Sequence, residues 1–317
     1  MGNVAVRIRN LSKTYENGGK VTKALKNINL DIKEGEILGV LGPNGAGKTT
    51  LINILATLLI PNKGSINAFG IDVLKEPNKL REIIGYAGQD SEKSAYYRLT
   101  AFETLVYFSY TFRDVKKEDI ENEIKYISKR IGFSRKLNSQ FSTLSGGEKQ
   151  AIMIMRALVH KPRLCFLDEP SKSLDPVTAK KFRAFLKDFV RKVGITMIVT
   201  THNMSEAEEI CDRIVLINTG KIKFIGTPLE FKKMVDYTDK ITLDTHLSKL
   251  VIAKLKRIPS VVRIKQTVKS TVIYTNKVNL SLLALTSILK NENLEPKITV
   301  RSATVEDAFV KVMGNGK

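Results

Sequence analysis

The stretch from Leu38 to Leu55, LGVLGPNGAGKTTLINIL, constrains the fold of this chain more than any other. Residues Gly42, Pro43, Asn44, Gly45, Ala46, Gly47, Lys48 and Thr49 fit G-x-x-x-x-G-K-[ST]. An apolar strand pattern precedes them and a helical pattern follows, which is the context this motif requires. Glycines at 42, 45 and 47 permit positive φ, so backbone N–H groups turn inward while the next helix aims its positive end at the same point. A polyphosphate fits there. Lys48 would reach the outer phosphates as a point charge. The Thr49 hydroxyl would take a Mg²⁺ position, because Mg²⁺ keeps waters and borrows phosphate oxygens. Thr50, next along the helix, belongs to the same expected binding set. The bland alternative is a glycine-rich strand-to-helix turn with an exposed lysine.

With 317 residues, 43% of them hydrophobic, the chain can bury one large core or two modest ones. Its longest apolar run, Leu51 to Ile60, contains Asn53 and Thr57 and stops at Pro61, short of a membrane span. No charged-apolar-small leader precedes the first strand pattern, and Val6 stands where myristoylation needs Ser or Thr, so no targeting role is expected of the N-terminus. Cys165 and Cys211 have no metal or redox spacing, which makes a reducing cytoplasm the default. The net charge of +20 invites a polyanion, but the charge is spread. Residues 237–317 hold 14 Lys and Arg against 6 Asp and Glu, and nowhere do more than two basic residues stand adjacent. A lysine-rich solvated surface is the reading preferred here, and no direct nucleic-acid binding is expected.

In chain order, Val4 to Arg9 alternates as an edge strand should, and Ile28 to Ile32 alternates likewise. Tyr15 lies between them, either as a surface aromatic or as a ring that stacks on a base. Ile37 to Leu41 is wholly apolar and reads as a central parallel strand. Ile83 to Ala87 is another strand; Gln89 after it is a plain cap or a neutral ligand reaching Mg²⁺ and the attacking water. Residues from about 100 to 140 read as a charged helical insertion. Ser145 with Glu148 forms a capping box, and Gly146 and Gly147 bare the N–H groups of a helix N-terminus, which makes a second anion site. Leu164 to Leu167 is a buried strand ending in Asp168 and Glu169, at the end of an open α/β sheet where ligands bind. Asp168 would hold Mg²⁺ through water, and Glu169 would polarise the attacking water.

Asp175 and Pro176 open another helix that Gly194 stops. Thr196 to Thr201 is one more apolar strand, and His202 at its end is either exposed or within reach of a γ-phosphate. The hairpin of Ile214 to Ile217 and Lys221 to Ile225 ends the first domain. Beyond it, strands at Ile241 to Leu243, Val261 to Lys265, Thr271 to Thr275 and Ile298 to Val300 alternate with helical runs at Leu247 to Ile258, Leu280 to Leu289 and Val305 to Met313. This β-α-β-β-α-β-α order predicts a small ferredoxin-like unit. It carries no catalytic constellation, so a regulatory or dimer-stabilising role is expected of it.

Together these pieces resemble the ATP-binding subunit of an ATP-binding-cassette (ABC) transporter. The phosphate loop (Gly42 to Thr49), Q-loop (Gln89), signature LSGGE (Leu144 to Glu148), Walker B strand CFLDE (Cys165 to Glu169), D-loop SLD (Ser173 to Asp175) and switch histidine (His202) occur in the family's order. The resemblance covers roughly residues 4 to 235. It implies an α/β P-loop NTPase domain over 1–236, with a helical subdomain at about 90–160 and an antiparallel β subdomain; the α+β ferredoxin-like unit would take 237–317. It implies ATP and Mg²⁺ as cofactors, with Glu169, His202 and Gln89 catalytic and Thr49, Gln89 and Asp168 at the metal. Tyr15, Gly42 to Thr50, Ser145, Gly146, Gly147, Glu148 and Asp175 would bind nucleotide.

The resemblance further implies a homodimer or heterodimer of ATP-binding subunits, docked peripherally on the inner face of the cell membrane against a transmembrane permease subunit. The surface near Tyr96, Tyr97 and Phe102 is expected to meet that subunit. The tail from Ala303 to Gly314 is similar to that of drug-, antibiotic- and lipid-exporter ATPases, which points to export. Four positions depart from the family pattern. Glu148 replaces the commoner glutamine, Gly88 a proline, and Lys172-Ser173 a small pair in the D-loop. The rival is a soluble ABC ATPase acting on nucleic acid or ribosomes; here the interval from Lys48 to Ser145 holds only a small insertion, and no second phosphate loop follows.

Overall fold

The computed structural model describes residues 3–88, 91, 95–109 and 116–314. They form two compact units, Met1–Thr227 and Pro228–Lys317. The expected boundary at residue 236/237 thus lies nine residues too late. The reason is packing: a short helix, Pro228–Lys232, buries Phe231 and lies against the C-terminal helix of the second unit.

The first unit opens with two long strands, β1 (Val4–Asn17) and β2 (Lys20–Lys33), then β3 (Ile37–Leu41) and α1 (Lys48–Leu55). There follow β4 (Lys63–Ala68), β5 (Ile71–Asp72), α2 (Pro77–Arg81) and β6 (Ile84–Ala87). The helical insertion comprises α3 (Ala101–Ser109), α4 (Lys117–Ile131) and α5 (Gly146–Leu158). The chain returns through β7 (Leu164–Asp168), α6 (Pro176–Val193), β8 (Thr196–Thr201) and α7 (Met204–Ile210) to the hairpin β9 (Arg213–Asn218) and β10 (Lys221–Gly226).

The described residues of this unit build two sheets. One has the order β10-β9-β3-β8-β7-β6, parallel except for β10; the other is antiparallel, β2-β1-β4-β5. β1 therefore lies between β2 and β4 and is not the edge strand its alternation predicts. Alternation reports one buried face and one solvated face, and says nothing about which edges are paired. Every residue of β3, β7 and β8 is buried, as strands covered on both faces should be. α1 contributes Leu51, Ile52, Ile54 and Leu55 to one core with Val6, Ile8 and Ile66 of the antiparallel sheet and Val40, Phe166 and Ile198 of the parallel one. Each such side chain stabilises the fold by about 1.5–3 kcal/mol through removal from water. This packing fixes the direction of α1 and hence of the loop before it.

The second unit begins with α8 (Pro228–Lys232) and continues through β11 (Asp239–Leu243), α9 (Lys249–Lys256), β12 (Val261–Gln266), β13 (Thr271–Thr275), α10 (Val278–Asn291), β14 (Ile298–Ser302) and α11 (Val305–Gly314). Its antiparallel sheet has the order β12-β13-β11-β14. That is a ferredoxin-like arrangement, and its core is Ile241, Leu243 and Ile273 against Val251, Leu255, Leu285 and Leu289 of α9 and α10. No helix among the described residues is long and apolar enough to cross a membrane.

Candidate active site

β3 pairs in parallel with β8 on one side and β9 on the other, and the chain leaves its carboxyl end into the glycine loop. Gly42, Gly45 and Gly47 have φ of 154°, 77° and 108°. Gly47 caps α1, and a Cβ on it would lie 2.5 Å from the Ala24 carbonyl oxygen, so β2 presses on the loop where only glycine fits. The turn at Thr219-Gly220 braces the loop from the other side. Gly220 N–H donates to Ala46 O at 3.0 Å, and Lys26 N–H donates to Gly220 O at 2.8 Å.

Lys48 is 7% exposed, and its ammonium donates to the carbonyls of Gly42 and Pro43 at 2.8 and 3.1 Å. Burial pushes the ammonium below its ordinary value, and the nearby Glu169 and Asp168 charges offset part of that. Asp168 ends β7 with 4% exposure. Its Oδ2 accepts from Thr49 Oγ1 at 3.3 Å, and its Oδ1 accepts from Thr200 Oγ1 on the neighbouring strand β8. A threonine hydroxyl and a buried carboxylate thus converge as two hard oxygen donors, a set that suits Mg²⁺ completed by water and phosphate.

Glu169, one residue past β7, adopts φ 51°, a left-handed conformation unusual for a long side chain. Its N–H donates to Thr200 O and Thr200 Oγ1 at 3.0 and 3.1 Å, which holds that conformation. His202 Nδ1 stands 2.9 Å from Oε1 and Lys172 Nζ 3.1 Å from Oε2. Burial pushes the carboxyl upward, but the contacts from His202 and Lys172 outweigh it, so it stands below its ordinary value. A carboxylate so placed is ionised at neutral pH and able to accept a proton from water.

Lys48, Thr49, Asp168, Glu169 and Lys172 line one cleft of about 730 Å³. Of the residues expected at the nucleotide, Tyr15, Asn44 to Thr50, Asp168 and Glu169 share it. Tyr15 is 41% exposed, with its hydroxyl 3.4 Å from Thr50 Oγ1. Gly42 and Pro43 serve it through Lys48, and His202 through Glu169. Gln89 lies outside the described residues. Ser145, Gly146, Gly147, Glu148 and Asp175 do not line the cleft of their own chain. The expected capping box is present: Ser145 Oγ accepts from Glu148 N–H, and Glu148 Oε2 accepts from Ser145 N–H. Asp175 caps α6 by accepting from Val177 and Thr178 N–H. A Cβ on Gly147 would lie 2.4 Å from Ser173 O, so the signature helix and the D-loop are in backbone contact.

Sequence reasoning missed Thr200, Lys172, Thr219 and the β2 segment from Val21 to Lys26 as contributors. The Lys172 departure from the family pattern was a signal that something at that position differs. The β2 segment gave none.

The fold and this cleft define a P-loop nucleotide-binding cassette. Residues 25–172 match the family described as ABC transporter. The ABC transporter ATP-binding protein NatA of Bacillus subtilis (strain 168) is 34% identical over 70% of this chain and 89% of that protein. The spermidine/putrescine import ATP-binding protein PotA of Spiroplasma citri is 40% identical over 71% of this chain, which spans 62% of that relative's length. Among solved structures, the ATP-binding cassette MJ0796, as a post-hydrolysis dimer bound to ADP and Pi, superposes with a TM-score of 0.64 at 31% identity, over 70% of this chain and 98% of that one. The chain belongs to the ABC transporter ATP-binding proteins, and its first unit is an ABC ATPase cassette.

Proposed function

We propose that this chain is the ATP-binding subunit of an ABC transporter and hydrolyses ATP to drive a separate transmembrane subunit. The observation that carries the reading is the convergence of Lys48, Thr49, Asp168 and Glu169 in one cleft, with Glu169 held by His202. The triphosphate lies along the glycine loop with Lys48 leaving its carbonyl partners for the outer phosphates. Thr49 and Asp168, with Gln89 as a further ligand, would hold Mg²⁺, which would supply neutralisation of phosphate charge. Glu169 accepts the proton of the attacking water, and His202 keeps the carboxylate in place. Tyr15 stacks on the base.

The signature helix seeks an anion yet lies outside its own chain's cleft, so two copies, or this chain and a similar one, share each nucleotide. Ser145, Gly146, Gly147 and Glu148 of one chain complete the cleft of the other, with Asp175 at the junction. Mixing inactive Lys48→Ala with inactive Ser145→Arg chains is expected to restore one good site per heterodimer. No recovery of hydrolysis at any mixing ratio would overturn the shared site.

The proposal puts the chain on the inner face of the cell membrane, held by its partner. Tyr96, Tyr97 and Tyr107 are each about half exposed on the helical insertion, and Tyr96 meets Tyr107 edge to face at 5.0 Å. This aromatic surface, with the half-buried Phe102, is the docking face proposed for the transmembrane subunit. Cysteines placed at 96 and 107 should crosslink to it, and crosslinks found only elsewhere would remove the assignment. Cys165 and Cys211 are buried, so the introduced thiols would react selectively.

Export, the direction suggested by the tail, finds no support among the relatives compared above; PotA is by name an import protein. The ferredoxin-like unit is proposed to regulate the cassette or stabilise its dimer. A chain ending at Thr227 should then bind ATP with unchanged affinity while dimerising more weakly.

A further inference from the structure

Lys172 stands three residues beyond Glu169, in a turn closed by its N–H donating to Glu169 O at 3.2 Å. The turn folds the lysine back on the acid, so that Nζ lies 3.1 Å from Oε2 while His202 takes Oε1. Both oxygens of the proposed base are therefore engaged by the chain itself. Lys172 also lines the phosphate cleft together with Lys48. Its side chain is 51% exposed, against 18% for Glu169. The acid is held in place, whereas the lysine sits on a flexible four-carbon stem with room to turn.

We propose that Lys172 is a positioning residue that exchanges partners: it neutralises Glu169 in the arrangement described here, and turns to the terminal phosphate when a nucleoside triphosphate binds. The exchange releases Oε2 for the attacking water only when a γ-phosphate is present, and this rests on the reading of Glu169 as the base. The physical case is a competition for one ammonium. A half-exposed ion pair contributes little and is easily given up. A terminal phosphate carries nearly twice the charge of a carboxylate and offers three acceptor oxygens. A diphosphate ends one phosphate earlier and leaves the lysine with Glu169. The family pattern places a small side chain at this position, so the device belongs to this chain's own sequence.

The test is equilibrium binding of ATP and of ADP to the full chain, with Mg²⁺ omitted to prevent turnover. Lys172→Met and Lys172→Gln are expected to weaken ATP by about tenfold, the scale of one lost charge contact, and to leave ADP within about twofold. Lys172→Arg is expected to restore the ATP value. With Mg²⁺ present, the neutral variants should raise KM more than they lower kcat. Equal weakening of ATP and ADP, or no weakening of either, would overturn the proposal. The base assignment is tested separately by hydrolysis in Glu169→Gln, so a failure there leaves the ATP-against-ADP comparison to report on Lys172 alone.

Discussion

Thr200 Oγ1 donates its hydrogen to Asp168 Oδ1 across paired positions of the parallel strands β7 and β8. The contact is buried and joins the strand ends that carry Glu169 and His202. Thr200→Val keeps the shape and removes the donor, leaving one oxygen of a buried carboxylate unsatisfied at a cost of about 1.5–3 kcal/mol. Urea unfolding should show that loss, and the Mg²⁺ concentration for half-maximal hydrolysis should rise. Thr200→Ser should retain most of both. A Thr200→Val chain as stable as the parent would mean that water replaces the hydroxyl.

Glu169→Gln keeps size and removes the charge proposed to accept the proton. Hydrolysis should fall by about 10²–10⁴-fold while ATP still binds, and ATP should then trap a dimer visible by size-exclusion chromatography. A variant that turns over at the parent rate would show that another group is the base.

Gly146 and Gly147 are adjacent on α5, but alanine should act on them with opposite sign. A Cβ at 146 meets nothing within 4 Å, whereas one at 147 would lie 2.4 Å from Ser173 O. Gly146→Ala should be neutral or stabilise by up to about 1 kcal/mol through helix propensity. Gly147→Ala should cost about 1–3 kcal/mol, because either α5 or the D-loop backbone must move. Thermal melts of the two variants side by side decide it; similar values would mean that the contact yields freely.

His160 gives a pH dependence of stability. Its Nε2 lies 3.1 Å from Ile84 O, and burial pushes the imidazole down to about 4. The folded value lies below the unfolded one, so the unfolded chain takes up the proton first. The contribution is therefore fully present above the unfolded value and is lost as pH falls from about 6.5 toward about 4. Denaturant midpoints should fall over that window by more in the parent than in His160→Gln. Parallel curves would place the titration elsewhere.

The sequence signals that hold in the structure are those whose physics is local. The wholly apolar Ile37 to Leu41, the capping box of Ser145 with Glu148, and the Asp175-Pro176 start and Gly194 stop of α6 each depend on residues a few positions apart, and each is present. The interior position of β1 depends on what pairs with it from residues 63 to 68, which no periodicity encodes. Periodicity marks β2 only from Ile28 to Ile32, because its first half, with Lys23 and Lys26, lacks a continuous apolar pattern; the strand reaches back to Lys20 by pairing along β1. In the cleft, residue types announced the phosphate loop and the two acids. The partners that orient those acids, Thr200 and His202 for example, lie about thirty residues away and meet them only through the sheet.

The left-handed φ of 51° at Glu169 sets folding against the turnover role proposed for this residue. A long side chain there costs about 1–3 kcal/mol of backbone strain, which glycine would relieve. Selection for thermal resistance alone would therefore drift toward Glu169→Gly and discard the acid. Only a screen that also scores turnover would keep it, so stabilised descendants of this chain should accumulate their substitutions elsewhere and leave this strained residue untouched.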